Sequence, residues 1–173
     1  MLLSIGKIKL KPGLTQDYHV SGCIPPSVTA DYTGFSLKYP VVFDGKVTNT
    51  GNGTFLVEGN YQGKISYVCS RCLAPCVSSV SGRLNALFSE DPLTVQEDEV
   101  DIRRLDGDNI CLDGLIMSSI SFDMPMQPLC REDCRGLCPI CGADLNKKAC
   151  TCREDQIDPR WEKLKNFKFT PDK

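Results

Sequence analysis

Tyr61-Gln62-Gly63-Lys64-Ile65-Ser66-Tyr67-Val68 runs into Cys69-Ser70-Arg71-Cys72-Leu73-Ala74-Pro75-Cys76, and then Val77-Ser78-Ser79-Val80-Ser81-Gly82-Arg83-Leu84-Asn85-Ala86-Leu87-Phe88 leads away from it. Both flanks are rich in β-branched and aromatic residues, and the segment between them carries the Pro and small polar residues of a turn. This reads as an antiparallel strand pair with a Cys-x2-Cys at its tip.

Working back from that hairpin, Thr54-Phe55-Leu56-Val57 is extended and follows Gly51-Asn52-Gly53, a turn, which in turn follows a run from Val47 to Thr50. Phe35-Ser36-Leu37-Lys38-Tyr39 alternates, and Val41-Val42-Phe43 leads into Asp44-Gly45. An Asp-Gly pair between β-prone runs predicts a hairpin turn, because both central positions of the favoured turn need φ > 0. Residues 1–89 should therefore supply most of an antiparallel sheet.

Working forward, residues 90–110 hold an acidic segment with Glu97-Asp98-Glu99 and Asp101, expected to be a solvated loop. Leu112, Leu115, Ile116, Ser119 and Ile120 then share one helical face, with Asp113 near the positive end, so a helix is predicted over 112–121. Pro125 and Pro128 end it. Near the C-terminus, Asp158-Pro159 has the form of an N-cap and first turn, which predicts a short helix with Trp161 and Leu164 as its apolar contacts. The fold class is α+β: a β-rich domain over 1–129, with its acidic loop and helix, and a Cys-rich module with a C-terminal helix over 130–173.

A hydrophobic fraction of 41% and a charged fraction of 24% are those of an ordinary globular chain. The apolar start, Met1-Leu2-Leu3-Ser4-Ile5, is broken by Lys7, Lys9 and Lys11, too early for a signal peptide. No stretch reaches the roughly 18 to 20 apolar residues of a membrane span. A cytoplasmic location is expected, where thiols stay reduced and metal binding is favoured over disulfides. Eleven cysteines is moreover an odd number, so they cannot all pair with one another. The net charge of −2 conceals an acidic middle: residues 90–130 carry two Lys/Arg against ten Asp/Glu, which argues against nucleic-acid binding by overall charge.

The strongest chemical signal is Cys130-x3-Cys134-x3-Cys138-x2-Cys141-x8-Cys150-x-Cys152, six thiols within 23 residues. Cys138-Pro139-Ile140-Cys141-Gly142 has the form of a metal knuckle, with a glycine that lets the chain turn and direct N–H groups at sulfur. Cys69 and Cys72 repeat its spacing. Tetrahedral zinc takes four thiolates, and these eight cysteines make two sets. The preferred division places Cys138, Cys141, Cys150 and Cys152 on one ion and Cys69, Cys72, Cys130 and Cys134 on another. The second set would staple segments about 60 residues apart, where a metal clip gains most. A single zinc on four of the six clustered thiols, a ribbon pairing both knuckles, Cys76 in place of Cys72, and iron–sulfur ligation are the alternatives. Cys23 and Cys111 read as small apolar or partly exposed thiols, as does Cys76 if it is not a ligand.

No catalytic constellation accompanies them. The only histidine, His19, has no placed Ser or Cys partner, and no GxxxxGKS-type loop occurs. An all-thiolate zinc leaves no position for water and is structural, so the chain is expected to be no enzyme.

The tip Cys69-Ser70-Arg71-Cys72-Leu73, the helix leading to Met124-Pro125, and the string Leu129-Cys130-Arg131-Glu132-Asp133-Cys134-Arg135-Gly136-Leu137-Cys138-Pro139-Ile140-Cys141-Gly142 with Asp144-Leu145-Asn146, Cys150-x-Cys152 and Asp158-Pro159-Arg160 together resemble the bacterial and plastid YceD family. The resemblance spans about residues 1–165. It implies a metal-binding protein with a role in synthesis, processing or stability of large-subunit ribosomal RNA, and it carries over no catalytic residue. On that reading Arg71, Arg131, Arg135, Lys147, Lys148 and Arg153, all beside the cysteines, are candidates to reach RNA phosphates or a partner. Two other readings are an adaptor whose acidic segment meets a basic ribosomal protein, and a thiol-based metal or redox sensor.

Overall fold

Apolar and polar side chains alternate along residues 41–89, and that alternation sets the architecture. In the computed structural model, which describes residues 1–37, 39–91 and 101–152, the elements are β1 (Leu2–Ser4), β2 (Thr15–Gly22), α1 (Pro26–Thr29), β3 (Phe35–Ser36), β4 (Val41–Gly51), β5 (Thr54–Val68), β6 (Pro75–Ser89), β7 (Asp101–Arg104), β8 (Asn109–Cys111) and α2 (Asp113–Asp123). One sheet has the order β2-β4-β5-β6-β7, with β3 beside the far end of β5, and β1 pairs separately with β8. The α+β reading holds: the sheet is antiparallel except at β6–β7, which is parallel.

The register puts Phe43 opposite Tyr61, Val47 opposite Val57, Phe55 opposite Phe88 and Val57 opposite Ala86, so the large buried residues share one face. Leu115, Ile116, Met117 and Ile120 of α2, with Leu3, Ile5, Ile8, Leu105, Ile110 and Leu112, complete that core. The other face is polar, with Lys46 and Glu58 paired across it at 3.2 Å. Asn49, buried at the end of β4, donates to the carbonyls of Ile8 and Lys9 and accepts from the Gly51 N–H, which ties the N-terminal segment to the sheet. Among the described residues, no helix is long and apolar enough to cross a membrane.

Three expectations need correction. Asp44-Gly45 makes no turn: β4 passes straight through it, and Gly45 does not take a positive φ. The glycine is there for space. Gly45 pairs with Gly59, and the Phe43 ring lies across both, so that a Cβ on Gly45 would come within 2.4 Å of the Glu58 carbonyl oxygen and 2.7 Å of that ring. The β4–β5 hairpin closes at Asn52-Gly53, within the turn expected at residues 51–53, where both residues do adopt positive φ. Second, of the acidic segment, 101–104 and 109–111 are strands, because Leu105 and Ile110 are buried and the sheet edge and β1 each offer a partner. Lys9 ion-pairs there with Asp108 at 2.7 Å and Glu90 at 3.0 Å. Third, β3 covers only Phe35–Ser36 of the run expected to reach Tyr39. The predicted helix at 112–121 is observed as α2, and Asp113 in its first turn also ion-pairs with the Met1 α-ammonium group. Glu97-Asp98-Glu99, Arg153 and the helix expected after Asp158 lie outside the described residues.

Because the two nearest atoms facing Gly45 are backbone, Gly45→Ala should cost on the order of 1–3 kcal/mol in urea unfolding. Gly6→Ala, where a Cβ meets nothing within 4 Å, should stay within about 0.5 kcal/mol of the parent.

Candidate metal centre

Beyond the core, the β5–β6 ribbon continues to a tip that has almost no apolar support from the sheet. At Val68 and Pro75 the ladder ends, and the chain closes a knuckle: the Cys69 N–H donates to the Ala74 carbonyl at 2.9 Å and the Leu73 N–H to the Cys69 carbonyl at 3.0 Å. Cys138–Ala143 repeats the pattern. The Cys138 N–H donates to the Ala143 carbonyl at 2.8 Å and the Gly142 N–H to the Cys138 carbonyl at 2.9 Å. Gly142 has φ 71° and Leu73 has φ 57°. Leu73 thus stands in the left-handed position that glycine fills in the second knuckle, and the residue is 63% exposed.

Two hydrogen bonds bring the later segment to the tip. The Ser70 N–H donates to the Pro128 carbonyl at 2.9 Å, and the Tyr67 hydroxyl to the Leu129 carbonyl at 3.0 Å. Arg71 then reaches past the tip to donate to the Cys134 carbonyl at 2.9 Å. The Gly136 position is equally tight, since a Cβ there would stand 3.0 Å from the Arg71 carbonyl oxygen.

The eight sulfurs consequently form two groups. Those of Cys69, Cys72, Cys130 and Cys134 lie within 4.8 Å of one another, and so do those of Cys138, Cys141, Cys150 and Cys152. Cys69 and Cys134 are 3.8 Å apart, Cys72 and Cys130 3.7 Å, and Cys150 is 3.5 Å from both Cys138 and Cys141. A tetrahedral ion with sulfurs at about 2.3 Å would set them about 3.8 Å from each other, so both donor sets fit such an ion. The two Cys-x2-Cys knuckles fall in different groups and do not pair as a ribbon. Cys76 packs beside the first group with its thiol directed to the Ala74 carbonyl, and Cys23 and Cys111 are exposed.

Electrostatics within each group calls for a cation. The N–H of Cys72, ahead of those of Arg71 and Cys130, stabilises the Cys69 thiolate and lowers its pKa to about 6 against the opposing effect of burial. Cys138 is lowered to about 7, chiefly by the N–H groups of Cys141 and Ile140. Cys130 is pushed up to about 12, first by loss of hydration and then by the sulfurs of Cys134, Cys72 and Cys69. Cys152 rises to about 12 through Cys150 and Cys141. One thiolate per group is favoured by backbone dipoles, and further negative charge is resisted until a positive charge sits among the sulfurs.

The candidate basic residues separate by role. Arg71 is spent on Cys134. Arg131 donates to the Asn146 side chain at 2.9 Å and pairs with Asp133 at 3.3 Å, and Lys147 pairs with Asp144 at 3.4 Å. Arg135 and Lys148 are exposed, and their side chains have no hydrogen-bond or ion-pair partner among the described residues. Sequence reasoning missed Asn146, whose amide lies between the two groups. The sequence shows only an asparagine between Cys141 and Cys150, and nothing local marks it as a bridge.

The matched knuckles make a paired prediction. In urea unfolding at one fixed free-metal concentration, Gly142→Leu should cost about 1–2 kcal/mol for a left-handed backbone. Leu73→Gly should be neutral or stabilising, since the same relief opposes about 0.5–1 kcal/mol of glycine entropy.

Comparison with known proteins gives the chain's relatives. The chain is 32% identical to an uncharacterised protein of Mycobacterium tuberculosis, over 95% of this chain and 79% of that one, and equally to its Mycobacterium bovis counterpart. It is 26% identical to the large ribosomal RNA subunit accumulation protein YCED homolog 1, chloroplastic, of Zea mays, over 75% of this chain and 54% of that protein. No solved structure gives a significant match. The family model described as large ribosomal RNA subunit accumulation protein YceD matches residues 57–168, from β5 and its knuckle through both cysteine groups, and the chain belongs to that family.

Proposed function

We propose that this protein is a non-enzymatic accessory factor in the synthesis, processing or stability of large-subunit ribosomal RNA, and that each cysteine group holds one structural zinc ion. The carrying observation is the pair of four-sulfur groups, of which the first joins the tip of the β5–β6 ribbon to Cys130 and Cys134 and the second closes residues 138–152 on themselves. Four thiolates fill a tetrahedral ion, so a zinc held there supplies cross-linking and charge but no open position for water. The spacing is unlike a ferredoxin run, which favours zinc over an iron–sulfur cluster. His19 is exposed on β2, and the partner its ring has among the described residues is the Asp44 carboxylate at 2.9 Å. The family's printed description and the name of the maize relative support the link to ribosomal RNA. Thiolate ligands need a reducing compartment, in keeping with the cytoplasm.

On this reading RNA is met by backbone contact. Arg135 and Lys148, whose side chains have no internal partner among the described residues, are the groups best able to reach phosphates, with Arg131, already bonded to Asn146, a weaker candidate. Arg71 belongs to the metal lobe instead, as its bond to Cys134 indicates.

Native mass spectrometry of the purified, colourless protein should give two zinc ions per chain, and Cys152→Ser should retain one at saturating zinc. Brown protein with visible absorbance, or metal-free protein with oxidised sulfurs, overturns the zinc assignment. For the RNA contact, filter binding to large-subunit ribosomal RNA should weaken steeply with salt, and Arg135→Ala/Lys148→Ala should reduce the log–log slope by about 2. Absence of binding at low salt rejects the RNA reading, and a pull-down that survives ribonuclease points to a protein partner.

A further inference from the structure

Asn146 sits on the loop of the second cysteine group, between Cys141 and Cys150, yet its side chain serves the first. The loop is fixed by backbone bonds on both sides: Leu145 N–H to the Gly136 carbonyl at 3.0 Å, Cys138 N–H to the Ala143 carbonyl at 2.8 Å, and Lys147 and Lys148 N–H to the Asp144 carbonyl. Every hydrogen-bonding position of the amide is then used. Its Nδ2 donates to the Cys134 sulfur at 3.5 Å and to Asp144 Oδ1 at 2.8 Å. Its Oδ1 accepts from Arg131 Nη2 at 2.9 Å and from the Arg135 N–H at 2.8 Å.

That arrangement admits one orientation. Turned over, the amide would set its oxygen against a thiolate and a carboxylate and its NH2 against a guanidinium and an N–H. The donor to Cys134 is therefore as well placed as the loop that carries it, and the loop is only as well placed as the knuckle that closes at Cys138. Arg131 and Arg135, which lie among the first group's ligands, hold the other side of the same amide.

We propose that Asn146 is a positioning residue that couples the two cysteine groups, so that zinc in either one strengthens binding in the other. The inference rests on the zinc reading above. An N–H donated to a ligand sulfur withdraws charge and orients it, and loss of such an outer partner usually weakens a metal site by about 10–100-fold. Linkage makes the effect reciprocal: whatever factor the second site confers on the first, the first confers on the second. A disordered loop around an empty second site would withdraw the donor from Cys134. An empty first site would release Arg131 and Arg135, and with them the loop.

The test is zinc competition against a chelator on the full chain, with the surviving site defined by serine variants. Cys150→Ser/Cys152→Ser, which disables the second site, should weaken the first by about 10–100-fold, and Cys69→Ser/Cys72→Ser should weaken the second by a similar factor. Asn146→Asp keeps the shape and the acceptors for Arg131 and Arg135 but replaces the N–H facing Cys134. It should weaken the first site about as much as disabling the second does, and combining the two changes should add little. Asn146→Ala gives the same reading should the aspartate variant not fold. First-site affinity within twofold of the parent in the Asn146 variants, or losses that multiply in the combined variant, overturns the coupling. Protein that takes up no zinc sinks the metal reading as well, whereas two ions that bind without responding to each other or to Asn146 sink the coupling alone.

Discussion

Four sulfurs within 4.8 Å of one another are electrostatically compatible only with retained protons or a cation in their midst. That constraint governs the lobe that includes residues 130–152. Within those residues only Cys134, Gly136 and Cys138 are buried, and among the described residues no large hydrophobic cluster holds the chain in place. What buries the hairpin tip is a small satellite of Cys69, Cys72 and Cys134, with Ala74, Cys76, Leu129 and Leu137 packed around it. On the proposed zinc reading, ligation contributes the free energy that a core contributes elsewhere.

The sheet, by contrast, needs no ion. Its core is continuous from β4 through β6 and is closed by α2, and its strands place the metal lobe by their length. β5 and β6 are each 15 residues long, and the burial along them declines toward the Cys69–Cys76 end. The ribbon is thus anchored at one end by Phe55, Val57, Ala86 and Phe88 and at the other by sulfur. Two hydrogen bonds, Ser70 to Pro128 and Tyr67 to Leu129, deliver Cys130 to that far end.

Much of this was legible because it depends on local pattern. The β5–β6 hairpin, the Asn52-Gly53 turn and α2 follow from side-chain alternation, turn chemistry and helical periodicity acting over a few residues. Asp44-Gly45 misled for a physical reason: a glycine that leaves room for the Phe43 ring and a glycine that supplies positive φ look the same in sequence. The short strands β1, β7 and β8 depend on partners far along the chain, Leu3 opposite Ile110 and Leu87 opposite Ile102, and no local signal encodes those pairings. At the site, thiol spacing pointed to the two groups, since knuckles are local. Leu73 in a left-handed conformation and the bridging amide of Asn146 are tertiary facts, set by what closes around them.

The basic residues show how a charge near a metal site should be weighed. Arg71, Arg131 and Lys147 flank cysteines in sequence as closely as Arg135 and Lys148 do, yet their guanidinium and ammonium groups are directed at a carbonyl, an amide and a carboxylate within the lobe. A side chain held that way has already lost its rotamer freedom to an internal partner and would have to break that bond to reach a phosphate. Proximity to the cysteines therefore does not identify a contact residue. What separates the two sets is whether the cation is spent on building the lobe or left on its surface, and that division can be read only once the sulfurs have been gathered.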